Sequence, residues 1–368
     1  MQPVSPIRSA TDLSVLHEGY MQRCLQLAAM ASGYTAPNPL VGAVLVHDNR
    51  IIGEGYHRQY GGPHAEVNCL NSVSEADRDL IPSASLYVSL EPCAHHGKTP
   101  PCADLIIRHK IPRVVIGCRD PFPEVDGKGI EKLLANDVGV VCPVMEREAI
   151  EVNRRFFTFH LKKRPYIVLK WAESANRLIA GSDGERLLIS NEYSNRLVHR
   201  WRTEEAAILV GTNTALRDNP RLTARLWPGK NPLRLVLDRA LKLPVTLNLF
   251  DQSSDTVVLN TIRDEKKGAV QLKRIDDHLP LTESIIQAAF SMNILSILVE
   301  GGAKLLQTFI DAGLWDEARI ITNENLHLSA GVHAPRLKNA WLSDQRSLSG
   351  DNIRFYRNKD QFQQNAGY

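Results

Sequence analysis

The sequence predicts an α/β protein built as two consecutive domains. Three observations carry that expectation. Its 368 residues exceed what one hydrophobic core ordinarily serves. Short apolar strands alternate with helix-spaced segments along most of the length, the pattern of layered α/β folds. A basic run, Lys162-Lys163-Arg164 followed by Pro165, separates two such alternations, so the expected domains are residues 12–150 and 164–360.

Within residues 12–32, Leu16, Tyr20, Cys24, Leu27 and Ala31 recur every three or four positions, the spacing of an amphipathic helix. Pro37 and Pro39 cannot sit in a helix interior and end it. Residues 41–46 read as a strand, Asp48-Asn49 as a turn, and residues 51–55 as the hairpin partner. A helical stretch at 64–70 follows Gly61-Gly62-Pro63, and a strand at 86–90 runs straight into Glu91-Pro92-Cys93. Residues 114–117 form another strand, and 145–161 read as one helix-like stretch. Beyond the basic run, strands are expected at 166–171, 207–210, 233–237, 256–259, 294–299 and 318–321, and helices at 191–201 and 303–312. Residues 214–223 pass for a polar loop, and the polar tail 361–368 is expected to fray.

Composition narrows the functional class by exclusion. Apolar residues make up 43% and charged residues 23%, an ordinary globular balance. Forty-four basic against 41 acidic residues leave a formal charge of +3, too even for the basic footprint of a nucleic-acid binder. No apolar run has the length of a membrane span, and the first twenty residues lack a signal-peptide core. A cytoplasmic protein is therefore expected, acting on a small molecule and not on nucleic acid or a membrane. Six cysteines in such a compartment need no disulfides. Cys24, Cys69, Cys118 and Cys142 lie among apolar residues and read as buried thiols.

The chemistry concentrates in His64-Ala65-Glu66, Glu91-Pro92-Cys93 and Pro100-Pro101-Cys102. Taken singly, these residues pass for a loop histidine and two core thiols. Jointly, one imidazole and two thiols provide three zinc ligands and leave a fourth position open, as a catalytic zinc requires. Glu66, two residues past His64, is placed to move protons without ligating. A His-x-Glu with later Pro-Cys and Cys is the pattern of zinc deaminases acting on bases and nucleosides. The predicted ligands are His64, Cys93 and Cys102, and the predicted proton shuttle is Glu66. With that set complete, His95 and His96 are not needed as ligands.

The two cysteines are separated by eight residues, Ala-His-His-Gly-Lys-Thr-Pro-Pro, where zinc deaminases usually have two. That insert resembles the bifunctional deaminase–reductase family of riboflavin biosynthesis. Pro37-Asn38-Pro39-Leu40-Val41-Gly42, Gly55-Tyr56-His57, and Asp120-Pro121 with Gly127-Lys128-Gly129 resemble it too. The resemblance implies a cytidine-deaminase-like three-layer α/β/α domain followed by a dihydrofolate-reductase-like α/β domain, working as a homo-oligomer. Its substrate is then a phosphoribosylamino-pyrimidine, with Asn38, His57, Lys98 and Thr99 implied to contact it.

In the second half no Gly-x-Gly-x-x-Gly follows a strand, so a Rossmann site has no fingerprint. Leu298-Val299-Glu300-Gly301-Gly302-Ala303 is the best local feature, a strand leading through two glycines into a helix whose backbone N–H groups can meet a phosphate. Half such turns merely need glycine for tightness. Lys170-Trp171-Ala172 with Ser174, residues 211–225, and Val299-Glu300-Gly301-Gly302 resemble the family's reductase half, which uses NADPH. The resemblance implies that Ala172, Thr214, Asp218, Gly301 and Gly302 contact the cofactor, and Arg202, Leu222, Arg225 and Glu300 the substrate. Two arginines suit a phosphate, which guanidinium binds through two parallel bonds. Hydride transfer to the sugar's C1′ is the implied second reaction.

One segment departs from the family. Where the family has Ser-x-Asp-Gly, this chain has Ser174-Ala175-Asn176-Arg177, and residues 186–188 lack its polar residue and aromatic. The departure predicts either a different loop geometry or weakened NADPH binding. It leaves open a zinc deaminase whose second domain only binds ligand or assembles the oligomer. A nucleic-acid base deaminase is disfavoured by the even charge and the long cysteine spacing.

Overall fold

A computed structural model of the chain describes residues 10–95, 100–182 and 187–361. It divides into two compact units, Met1–Lys162 and Lys163–Tyr368. Among the described residues no helix is long and apolar enough to cross a membrane.

In the first unit, helix α1 (Ala10–Ala29) precedes the hairpin β1 (Gly42–His47) and β2 (Arg50–Tyr56). Asp48 and Asn49 both take positive φ, 46° and 64°, as a two-residue hairpin turn of matching twist requires. Next come α2 (Ala65–Asn71), β3 (Ser85–Leu90), α3 (Cys102–Arg108), β4 (Arg113–Cys118), α4 (Lys128–Leu134) and β5 (Gly139–Val141). The five strands lie in the order β2-β1-β3-β4-β5, with β1 antiparallel to both neighbours and β3, β4 and β5 mutually parallel. Alternation along β1 sends Val44 and Val46 toward Met21, Cys24 and Leu27 of α1. The same alternation sends Ala43 and Leu45 toward Ala65 and Cys69 of α2, and Ala103 and Ile106 of α3 join that second core. Helices therefore cover both faces, giving the expected three layers.

The stretch expected as one helix at 145–161 is two, α5 (Glu146–Val152) and α6 (Arg154–Lys162). Asn153 breaks them. Its side-chain amide accepts from Leu40 N and donates to Leu40 O, both at 2.8 Å, pinning the segment beside Asn38 and Pro39. A carboxamide that matches a distant peptide group is worth more there than one more helical residue.

The second unit opens with β6 (Tyr166–Ser174) and β7 (Leu178–Gly181), then α7 (Glu192–Glu204), β8 (Ala207–Gly211), α8 (Thr212–Asp218), β9 (Leu233–Leu237), β10 (Thr256–Asn260), β11 (Glu265–Lys267) and β12 (Val270–Arg274). It continues with α9 (Leu281–Ser291), β13 (Ser296–Val299), α10 (Ala303–Asp311), β14 (Glu317–Asn323), β15 (Gly331–His333), β16 (Ala340–Leu348) and β17 (Asp351–Asn358). Ten strands form one sheet in the order β11-β12-β10-β9-β8-β13-β6-β14-β17-β16, and β7 pairs with β15 apart from it. From β12 to β14 all neighbours are parallel. Ile285, Leu306 and Phe309 of α9 and α10 pack on one face with Ile167, Leu169 and Trp171. Val198 and Trp201 of α7 pack on the other with Val168 and Leu298. The start of the expected polar loop at 214–223 lies within helix α8, capped at its end by Asn219 in the left-handed region (φ 38°).

Candidate functional site

Three segments converge where β3, the middle strand of the first sheet, ends. His64 is the N-cap residue of α2, Cys93 follows the end of β3, and Cys102 opens α3. Helix starts expose backbone N–H groups, and here Cys102 N donates to Cys93 Sγ at 3.4 Å, a contact that favours thiolate. His64 Nδ1 lies 3.6 Å from Cys93 Sγ and 3.3 Å from Cys102 Sγ, and all three donor atoms fall within 4.8 Å of one another. Zinc–nitrogen and zinc–sulfur bonds of about 2.0 and 2.3 Å set at the tetrahedral angle put N and S about 3.5 Å apart. The donor set fits zinc in spacing and in chemistry. Hydrogen bonding from Cys102, then from His64, overcomes the effect of burial and pulls the Cys93 thiol down to about 4. Its partner Cys102 is pushed up, chiefly by that same bond to Cys93.

Glu66 stands in the first turn of α2 and is 3% exposed. Burial, reinforced by the Cys93 charge, raises its pKa, so it takes up a proton more readily than an ordinary glutamate. Beside it, His57 Nδ1 lies 2.9 Å from Pro63 O and its Nε2 lies 3.1 Å from Asn38 Nδ2. Pro63 O can only accept and the Asn38 amide N–H only donates, so His57 carries its proton on Nδ1. The Asn38 carboxamide is thereby turned with its nitrogen to His57. The His57 and His64 rings meet edge to face at 5.6 Å. Asn38 and His57 are thus brought to the zinc-type cluster. Lys98 and Thr99 lie outside the described residues, as does His96.

Sequence reasoning passed over Glu91. Its carboxylate, 4% exposed, accepts four backbone N–H bonds: Asp120 and Gly127 on Oε2 at 3.2 and 3.0 Å, Gly129 and Ile130 on Oε1 at 3.0 and 3.2 Å. One side chain, two residues before Cys93, therefore ties that ligand to the loop 120–130. The available signal was an acid directly after an apolar strand. Glu91→Gln exchanges one accepting oxygen for an NH₂ group, leaving two buried N–H donors facing a donor. The expected cost is roughly 2–4 kcal/mol. Denaturant unfolding checks it, and an unchanged midpoint would show that the loop re-forms without the carboxylate.

The second unit gathers a buried charge cluster on one face of β6 and β13. Arg202 of α7 grips Glu300 with Nε to Oε1 and Nη2 to Oε2, both at 2.8 Å, while its Nη1 donates to Thr223 O at 3.0 Å. Lys170 Nζ lies 3.9 Å from Glu300 Oε2. Burial alone would raise Glu300, but the Arg202 and Lys170 charges outweigh it and hold the carboxyl at about 2. Burial lowers Lys170, the one cation in the apolar strand Tyr166–Ser174. That cation was the signal for a role the sequence reading did not assign. The Arg202 fork is engaged by Glu300. Arg225 is exposed, and Leu222 is buried with a left-handed φ of 53°.

Gly301 and Gly302 close the end of β13. A Cβ on Gly301 would meet Val210 Cα at 2.7 Å, so glycine there lets β13 run against β8. Gly302 has φ +74° and caps α10 with no side chain bonding the helix's first N–H groups. Its missing Cβ would point to Thr214 Oγ1 at 3.1 Å. Thr214 and Gly302 therefore frame one cradle at a helix start, which suits a dinucleotide phosphate. Asp218 ends α8, and Ala172 is half-buried on the Lys170 side of β6.

The departing turn is closed. Asn176 Oδ1 accepts from Ser174 Oγ at 2.8 Å and from Leu328 N at 3.2 Å, and its amide donates to Leu328 O at 2.7 Å. Arg177 takes the left-handed position (φ 62°) that glycine would fill more easily, its Nη2 donates to Pro335 O at 2.9 Å, and its Nε lies 3.8 Å from the buried Glu173. Residues 183–186 lie outside the described residues.

Comparison with known proteins finds a match in each half of the chain. Residues 14–118 match the cytidine and deoxycytidylate deaminase zinc-binding region, and residues 165–323 match the RibD C-terminal domain. The riboflavin biosynthesis protein RibD of Aquifex aeolicus is 39% identical over 306 residues, covering 82% of this chain and 85% of its own. That of Escherichia coli is 35% identical over 318 residues, covering 82% and 85%. The crystal structure of a diaminohydroxyphosphoribosylaminopyrimidine deaminase/5-amino-6-(5-phosphoribosylamino)uracil reductase from Thermotoga maritima superposes with a TM-score of 0.85 at 34% identity, over 94% of this chain and 99% of that one. Fold and sites together define a bifunctional enzyme, a zinc-dependent hydrolytic deaminase followed on the same chain by an NADPH-dependent reductase. The chain belongs to the family of the riboflavin biosynthesis protein RibD.

Proposed function

We propose that the enzyme hydrolytically deaminates 2,5-diamino-6-(5-phosphoribosylamino)pyrimidin-4(3H)-one and then reduces the ribosyl chain with NADPH, giving 5-amino-6-(5-phosphoribitylamino)uracil. The observation that carries the reading is the His64, Cys93 and Cys102 donor set with Glu66 buried in the adjacent helix turn. Residues 12–150 carry the deaminase and 164–360 the reductase, in a cytoplasmic homo-oligomer.

In the first reaction a ring C–NH₂ bond is replaced by C=O, water entering and ammonia leaving. His64, Cys93 and Cys102 would hold the zinc, which would supply an activated water by lowering its pKa to about 7. Glu66 takes the proton the attacking water loses and delivers it to the departing amine, two transfers its raised pKa favours. Asn38, oriented by His57, and Lys98 and Thr99 hold the pyrimidine and its phosphate.

In the second reaction hydride adds to C1′, the bond from C1′ to the ring oxygen breaks, and that oxygen takes a proton. NADPH supplies the hydride. Ala172, Thr214, Asp218, Gly301 and Gly302 bind it, the last through backbone exposed at the start of α10. Arg202, Leu222, Arg225 and Glu300 shape the substrate side. Lys170, the buried ammonium of the cluster, is the group able to protonate the opening ring oxygen.

Incubating the purified enzyme with the diaminopyrimidine, with and without NADPH, and weighing the product tests both halves. The expected result is exchange of an amine for oxygen in either case and gain of two hydrogens only with NADPH. Deamination without that gain at saturating NADPH would sink the reductase half.

A further inference from the structure

Helix α7 lies along the loop 222–231 and holds it by several side chains. Arg202 reaches Thr223 O, and the Arg200 guanidinium sits over the Trp227 ring at 5.7 Å. Between them His199, 1% exposed, receives the Leu226 backbone N–H on Nδ1 at 3.4 Å. The bonds from Arg202 and His199 fall on the backbone at 223 and 226 and so bracket Arg225. His199 and Arg202 are three residues apart, on one face of the helix. An imidazole that accepts on Nδ1 must be neutral with its proton on Nε2. Burial, then the nearby Arg202 and Arg225 charges, keeps it so by pushing its pKa down to about 4.

We propose that His199 is a positioning residue of the reductase: through its Nδ1 it fixes the backbone of Leu226 and thereby aims Arg225 at the phosphate of the substrate. This rests on the reading that Arg225 contacts that phosphate. Because Arg202 is committed to Glu300, recognition of the phosphate end depends on the loop geometry that His199 sets. The role is separate from hydride transfer, so loss of the bond raises KM for the phosphorylated substrate and leaves the cofactor's KM alone.

Two substitutions of equal polarity separate the acceptor's position from mere filling of space. In His199→Asn the carboxamide oxygen falls where Nδ1 was. In His199→Gln it falls near the place of Nε2 and cannot reach Leu226 N. With full-length enzyme, NADPH and 5-amino-6-(5-phosphoribosylamino)uracil, His199→Gln is expected to raise the substrate KM about tenfold, the scale of one lost hydrogen bond. His199→Asn is expected to keep it near the native value. The dephosphorylated riboside should show no difference between the two variants. Equal substrate KM in Asn and Gln variants overturns the proposal, as does a matching rise in the KM for NADPH or for the riboside. Arg225→Ala tests the underlying reading separately. If it leaves KM for the phosphorylated substrate unchanged, the assignment of Arg225 fails, whatever His199 does.

Discussion

Glu66→Gln is expected to cut ammonia release about a thousandfold while zinc stays at one per chain. The carboxamide keeps the size of the buried side chain but cannot carry a proton. Every turnover needs that group twice, once to accept from water and once to give to the amine. Proton transfer by a positioned side chain contributes between about a hundredfold and ten thousandfold, and no other described carboxylate shares the first turn of α2. His64, Cys93 and Cys102 are untouched, so metal content separates loss of chemistry from loss of the site. NADPH oxidation with the already deaminated substrate should proceed at the native rate. Ammonia released at the native rate would remove Glu66 from the proton path.

The second large effect is expected at Glu300. Its carboxylate neutralises Arg202 through two 2.8 Å bonds and lies 3.9 Å from Lys170, with all three side chains largely buried. Glu300→Gln leaves two cations facing each other without an anion. Removing one partner of a buried ion pair costs about 3–5 kcal/mol. The expected result is loss of reductase activity together with a lowered urea midpoint for the second unit, read from the fluorescence of the chain's five tryptophans, all of which lie there. The pH dependence has a defined sign. Glu300 sits at about 2 in the folded protein against an ordinary 4.5, so its stabilisation is complete above the ordinary range. It drains away as pH falls from about 4.5 toward 2. A midpoint unchanged in the variant would mean that Lys170 and Arg202 find other counter-charges.

The zinc-type cluster could be read from sequence because its residue types are rare, closely spaced and flanked by proline. The strands of both units were legible wherever burial on both faces produced continuous apolar runs, as at Tyr166–Ser174 and Ser296–Val299. The C-terminal ribbon of β16 and β17 was not. Most of β16 faces solvent, so Ser343, Asp344, Gln345 and Arg346 carry no apolar period to detect. The break between α5 and α6 was hidden for a different reason, since Asn153 acts on Leu40, more than a hundred positions away. Lys170 and His199 had visible residue types, but their meaning depends on Glu300 and Leu226, which only the folded chain brings near. Arg202 was legible as a cation, while its commitment to Glu300 was not.

The placement of β6 dictates the order in which the chain can assemble during synthesis. In the first unit every strand finds its neighbours within residues 42–141, so that sheet can close while the ribosome is still adding the second half. β6 emerges next but pairs only with β13 and β14, at residues 296–299 and 317–323. Until those residues are made, the strand carrying Lys170 has no sheet to join, and its apolar side chains wait for partners in a nascent chain. The first sheet's strands are thus all made before the partners of β6. A message cut short before β13 codes for a complete deaminase sheet and for a reductase whose first strand has nothing to bind.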